Sequence, residues 1–210
     1  MTLRLRFLGL CGALALLMTA NSAHAYDLSR QYPADDSEKI ERGFVHLQGA
    51  LWLPAFGTFN EYHQTSLDFG GEFGFRFLSL RGQHNLFIVG GLSLSLQKLD
   101  PDVVPAPDNN TSLIVGYAGV RYIPTAVCTY DGAGCLFFEV RVGLAYESAD
   151  DKSSHTGPRG DVTVLPGIGY RYSLGGVFQL GARADISYTA ESGSHNLGWV
   201  TVGAFVGFGW

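Results

Sequence analysis

From Val200 to Trp210 the chain reads Val-Thr-Val-Gly-Ala-Phe-Val-Gly-Phe-Gly-Trp. Counted in twos, Val200, Val202, Ala204, Val206, Phe208 and Trp210 form one wholly apolar face. Thr201, Gly203, Phe205, Gly207 and Gly209 form the other. A two-residue period is that of a β-strand whose faces see different surroundings. The run is also long enough for a strand that crosses a bilayer at a tilt.

Seven earlier segments carry the same alternation. Their apolar faces are Val45 to Leu53, Leu67 to Phe77, Leu86 to Leu96, Ile114 to Tyr122, Leu136 to Tyr146, Val162 to Tyr172 and Phe178 to Tyr188, each taken at every second residue. No charged residue falls on any of them. The opposite faces hold Asp68, Glu72, Arg76, Arg121, Glu139, Arg141, Glu147, Asp161, Arg171, Arg183 and Asp185. Parity alone fits two architectures. A sandwich would turn the apolar faces inward, as in a soluble periplasmic binding module, and a membrane barrel would turn them out. Segment length and the alternation of short and long connections favour the barrel. Pro166 is the weak point, because proline cannot donate to a ladder.

A chain that stops on an apolar strand with a terminal aromatic resembles the closing strand of bacterial outer-membrane β-barrels. The resemblance implies that Phe208 and Trp210 are the signal read by the barrel-assembly machinery, and that both chain ends lie in the periplasm. The expected fold is all-β: an eight-stranded antiparallel up-and-down transmembrane β-barrel over residues 43–210. It is similar to the OmpA transmembrane domain, OmpX and OmpW. Outer loops are then expected near 54–66, 97–112, 148–160 and 189–197, and periplasmic turns near 78–85, 123–134 and 173–176. Aromatics gather at the expected periplasmic ends (Phe77, Tyr122, Phe138, Tyr170, Tyr172, Phe178, Phe208, Trp210), with Tyr146 and Tyr188 at the outer ends, as in interfacial girdles.

The other end of the chain agrees. Arg4 and Arg6 precede an apolar run from Phe7 to Met18 and then Ala23-His24-Ala25, which is the pattern of a cleaved signal peptide over residues 1–25. Cys11 lies inside the apolar run, which argues against a lipid anchor. Residues 26–42 are expected to be a short periplasmic arm. The localisation that follows is the outer membrane of a Gram-negative-type bacterium. Cys128 and Cys135 remain after cleavage and are expected to pair in the oxidising periplasm. So short a loop is worth roughly 2.5 kcal/mol in the chain-entropy account. With 46% hydrophobic and 16% charged residues and 28 glycines, the composition suits a barrel. The net charge of −5 argues against nucleic acid as a partner.

Eight strands enclose a space just wide enough for side chains. The inward residues Asp68, Glu72, Arg76, Arg121, Glu139, Arg141, Arg171, Arg183 and Asp185 are therefore expected to form a cross-linked ion-pair network, since guanidinium forks bind carboxylates at two points. Arg121–Glu139 and Glu72–Arg183 are the first pairs expected. The inward glycines either make room for these arginines or line a narrow water path. Trp52 and Trp199, on strands that adjoin on closure, either plug the outer mouth or line a small apolar pocket of the OmpW kind.

Catalytic patterns are weak. Barrels resembling PagL, which modify lipid A, need His and Ser two apart on a strand. Here Ser153-Ser154-His155 and Ser192-Gly193-Ser194-His195 fall in expected loops, and PagP-like acyl transfer has only His46 to offer. Arg159-Gly160-Asp161 resembles an integrin-binding tripeptide, with Asp161 expected inward. Asp150-Asp151 reads as a solvated turn. No metal spacing and no cofactor motif is present. The expected role is non-enzymatic: envelope integrity, or surface contacts through the outer loops. A narrow pore or a small-ligand barrel is the alternative and a lipid A-modifying enzyme the remote one. The expected partners are outer-membrane lipid and lipopolysaccharide, the barrel-assembly machinery and surface ligands at the loops.

Overall fold

The structure, a computed structural model, describes residues 41–57, 63–80, 83–98, 110–149, 159–190 and 196–210. The expected signal segment, all but the last two residues of the arm and most of the outer-loop residues lie outside these.

Eight strands follow in order: β1 (Gly43–Phe56), β2 (Ser66–Leu80), β3 (His84–Lys98), β4 (Asn110–Pro124), β5 (Gly134–Ala149), β6 (Arg159–Leu174), β7 (Phe178–Ala190) and β8 (Asn196–Gly209). Each pairs antiparallel with the next, and β8 returns to pair with β1, closing an up-and-down barrel. Closure settles the choice that parity left open. A closed barrel has one inside, and the side chains on it are the charged ones. Leu47 (67% exposed), Leu144 (57%) and Phe208 (59%) stand on the outer wall, while Glu72, Arg121, Glu139 and Arg141 are buried inside. An apolar surface that encircles the whole molecule is suited to hydrocarbon and not to water.

The strands run further than the alternation suggests. The β2–β3 and β6–β7 connections shrink to residues 81–83 and 175–177, because backbone pairing continues past the last patterned side chain. Gly175 and Gly176 both adopt positive φ (62° and 76°), a conformation that glycine enters without a Cβ penalty and that tight hairpins require. The β4–β5 turn is longer. It holds a short 3-10 segment at Thr125–Val127 and a disulfide between Cys128 and Cys135. Asp131 accepts hydrogen bonds there from Thr129 Oγ1 (2.6 Å) and the Ala133 amide (3.1 Å).

Pro166 leaves a mark on the wall. The β6–β7 ladder pairs Val164 with Tyr188 and resumes at Gly167 with Asp185, so Leu165 and Pro166 face Ser187 and Ile186 unpaired. On its other side Pro166 keeps its partner Val140. A residue directs its hydrogen bonds to one neighbouring strand, and proline lacks the N–H that the rung toward β7 needs.

Candidate functional site: a filled, charged lumen

Between the two ends of the barrel the inward side chains stack in layers. The middle one is ionic and draws on β2, β4, β5 and β7. Glu72 meets Arg121 Nη2, Arg183 Nη1 at 2.7 Å and Arg141 Nη1 at 3.9 Å. Arg121 also binds Glu139 Oε2 through Nε (2.9 Å) and Nη2 (2.7 Å). Glu139 reaches Arg141 at 3.4 Å and Arg183 at 3.3 Å. Asp185 bridges Arg141 (2.5 Å) and Arg183 (3.0 Å) and accepts from Thr201 Oγ1 at 3.1 Å. Arg183 also donates to Gln48 Oε1. Arg121 and Glu139 are direct ladder partners; the contacts of Glu72 with Arg183, and of Arg141 with Asp185, cross the lumen between strands that do not pair. Every guanidinium in the layer touches at least two carboxylates, which is how buried charges are tolerated.

Toward the short-turn end lies an aromatic layer of Phe44, Phe87, Phe137 and Phe205. His46 is stacked between Phe44 and Phe205, with centroids 4.4 Å away on each side, and its Nε2 is 2.7 Å from Gln179 Oε1. The Arg121 guanidinium sits over the rings of Phe44 (4.6 Å) and Phe137 (4.1 Å), so the layers are joined by cation–π contact. Below it Arg171 pairs with Glu41, at the end of the arm, and approaches Cys135 Sγ at 3.9 Å. Arg76 lies near the same end, 3.5 Å from Asn85.

Toward the long-loop end Asp68 accepts from Ser95 Oγ (2.6 Å), and above it comes a second apolar layer. Trp52 and Trp199 stack there at 6.2 Å with Leu113, Leu165 and Leu197 around them. The loop residue His63 covers Trp52 edge-on at 5.9 Å and lies 3.5 Å from Glu147. Burial holds its imidazole down to about 4, against a hydrogen bond with Gln97 that pulls upward. It is therefore neutral at pH 7.

Space within these layers is scarce. The cavity beside Gln48, Asp68, Arg183 and Asp185 measures about 10 Å³, roughly room for one water. Side chains lining an aqueous path would be wet; Glu72 and Glu139 are 3% exposed and Arg121 and Arg141 1%.

Sequence reasoning placed the charged residues on the inner wall but missed Glu41, Gln48 and Gln179, and weighed His46 for acyl transfer alone. Glu41 precedes the patterned strand. Gln48 and Gln179 are uncharged and drew no notice, although both are polar residues at inward parity. Several inward glycines accommodate rings, since a Cβ at Gly74, Gly169 or Gly181 would strike Phe44, Phe137 or Phe205, while Gly119 leaves room for Arg141 and Gly167 for Asp185. Among the segments weighed for catalysis, Ser153–His155 and Ser192–His195 lie outside the described residues, as do Asp150 and Asp151. His46 is sealed in the lumen, and Asp161 is half-buried opposite Ala145. Among the described residues no group of His, Cys, Asp and Glu is placed to hold a metal ion.

No family model and no curated protein matches the chain. Solved structures do match. Neisserial surface protein A is 14% identical with a TM-score of 0.61, covering 80% of this chain and 97% of its own. The outer membrane enzyme PagL is 13% identical with a TM-score of 0.47, covering 79% and 99%. Ail, the attachment invasion locus protein of Yersinia pestis, is 10% identical with a TM-score of 0.45, covering 80% and 99%. Closed eight-strand topology, an apolar outer wall and a charged interior lead to the same conclusion as the first of these likenesses: the chain has the fold of the small eight-stranded outer-membrane β-barrels.

Proposed function

We propose that the protein is a non-enzymatic outer-membrane barrel that works through its surface loops and not through its lumen. The observation that carries this reading is the ionic layer at mid-height, whose buried guanidiniums and carboxylates pair with one another across the lumen, beside a cavity with about one water's room. A lumen so filled offers neither a path for solutes nor a reactive group within reach of a substrate. The connections 57–65, 99–109, 150–158 and 191–195 all leave from one end of the barrel, the end sealed by Trp52, Trp199 and His63, and in this reading that end faces outward. Residues 1–25 are removed on export, and the disulfide of the β4–β5 turn lies in the periplasm.

Complementation of a deletion strain tests the reading. Detergent and bile-salt resistance of the strain should be restored by the intact protein and by an Arg183→Met variant with a perturbed lumen. A variant whose connections 57–65, 99–109, 150–158 and 191–195 are cut to short turns should fold but fail to restore it. Full rescue by the trimmed barrel would contradict a role for the loops.

A further inference from the structure

The disulfide of the β4–β5 turn joins two unlike sulfurs. Cys135 lies near the start of β5 on the inner wall and is fully buried. The β5–β6 ladder pairs it with Arg171, and Arg171 Nη2 is 3.9 Å from its Sγ. Cys128 belongs to the turn before the strand and is 8% exposed, and its neighbours Val127 (37%) and Tyr130 (79%) face solvent. One sulfur is held against a buried guanidinium, and the other lies at the edge of an exposed turn.

The turn keeps these sulfurs together by its backbone as well. The Thr129 amide donates to the Gly134 carbonyl at 2.6 Å, and the Gly134 amide to Thr129 Oγ1 at 2.8 Å. The Cys128 amide donates to the Thr125 carbonyl at 3.0 Å, and the Ser173 amide on β6 to the Ala133 carbonyl at 2.7 Å. Two thiols so placed re-form their bond after reduction. Arg171 gives the reaction a direction. A disulfide is cleaved when a thiolate attacks one sulfur and expels the other, and the sulfur better able to carry the charge leaves faster. A neighbouring guanidinium stabilises a thiolate, so Cys135 is the leaving sulfur and Cys128 the one attacked. The acidic partner of Arg171 is Glu41, whose carboxylate competes with the thiolate for the same guanidinium.

We propose that Cys128–Cys135 is an exchange-active disulfide that is reduced by a dithiol of the periplasm. One thiolate of the dithiol attacks Cys128 Sγ, the S–S bond breaks, and its electron pair leaves on Cys135 Sγ beside Arg171. The second thiol of the dithiol loses its proton, attacks the mixed disulfide and releases Cys128, which takes up a proton. The dithiol ends as a disulfide, and the barrel gains two electrons and two reduced cysteines. The periplasmic source rests on the orientation proposed above; the chemistry does not, and the outer connections take no part in it.

The test uses the protein folded in detergent micelles, so its outcome is independent of orientation in a membrane. Brief treatment with glutathione, a monothiol, followed by alkylation should leave glutathione on Cys128 and the alkyl group on Cys135. Glutathione on Cys135, or a disulfide that reacts only once the barrel unfolds, would overturn the proposal. Equilibration with reduced and oxidised dithiothreitol then tests Arg171. Arg171→Met should shift the equilibrium about tenfold toward the disulfide, which is about 30 mV for a two-electron couple. Glu41→Gln should shift it about tenfold toward the dithiol. Mere loosening of the turn would move both variants the same way, and shifts of one sign, or none, would overturn the role of Arg171. Glu41→Gln removes a charge and keeps the shape, so it decides the sign should Arg171→Met fail to fold.

Discussion

Arg121 illustrates how a single side chain holds the interior together. It spans Glu72 and Glu139 and lies over two phenylalanine rings. Replacing it with Met leaves two buried carboxylates short of a partner, and we expect a loss of about 3–5 kcal/mol, read as a fall in the urea midpoint of the folded barrel. The double variant Arg121→Met, Glu139→Met should lose less than the two single losses added together, because it also removes one of the stranded charges. His63 gives a pH dependence. Its folded pKa, about 4, lies below the unfolded 6.5, so the unfolded chain binds more protons between these values and stability rises with pH. The contribution is complete above about 6.5 and is lost as pH falls toward 4. In the folded barrel the imidazole takes its proton near pH 4, so Trp52 and Trp199 emission should shift there and stay flat in His63→Gln. At this scale the sequence disclosed charge but not company. Arg121–Glu139 was legible because adjacent strands fix their register. Glu72–Arg183 was legible from matching height across the barrel, but Arg141–Asp185 was not, because height alone does not say which of several inward charges the closed barrel brings together.

The strands themselves were the most legible part. A period of two is set by backbone geometry, and every segment with an apolar face became a strand with that face outward. Connections were less legible, because pairing at strand ends depends on the backbone of both partners and not on side-chain pattern. Pro166 marks the boundary of the rule: the strand continues through it, but the ladder on one side does not. The β4–β5 turn is held instead by a covalent clip. Cys128→Ser, Cys135→Ser should keep the barrel yet lower its unfolding free energy by roughly 2.5 kcal/mol, the same fall as the reduced wild type shows. A loss of the barrel in the double variant would mean that the turn directs folding and does not merely restrain the unfolded chain.

For the molecule as a whole the decisive property is that both surfaces are used up, the outer by lipid and the inner by itself. The inward phenylalanine layer was the least anticipated feature. Phe44, Phe87, Phe137 and Phe205 sit at inward parity, where polar residues are the rule for membrane barrels. Their signal in the sequence is an apolar ring on the wrong face, opposite inward glycines that make room for it. Together with the ionic layer they make the barrel a solid wall. Planar-bilayer recording of the refolded protein tests this most directly. The intact barrel should insert and give no steps in current, whereas Glu72→Ala, Arg121→Ala, Glu139→Ala, which empties the middle layer, should give small discrete channels. Steady channels from the intact protein would contradict the account, because they require water where Glu72, Arg121 and Glu139 are packed against one another.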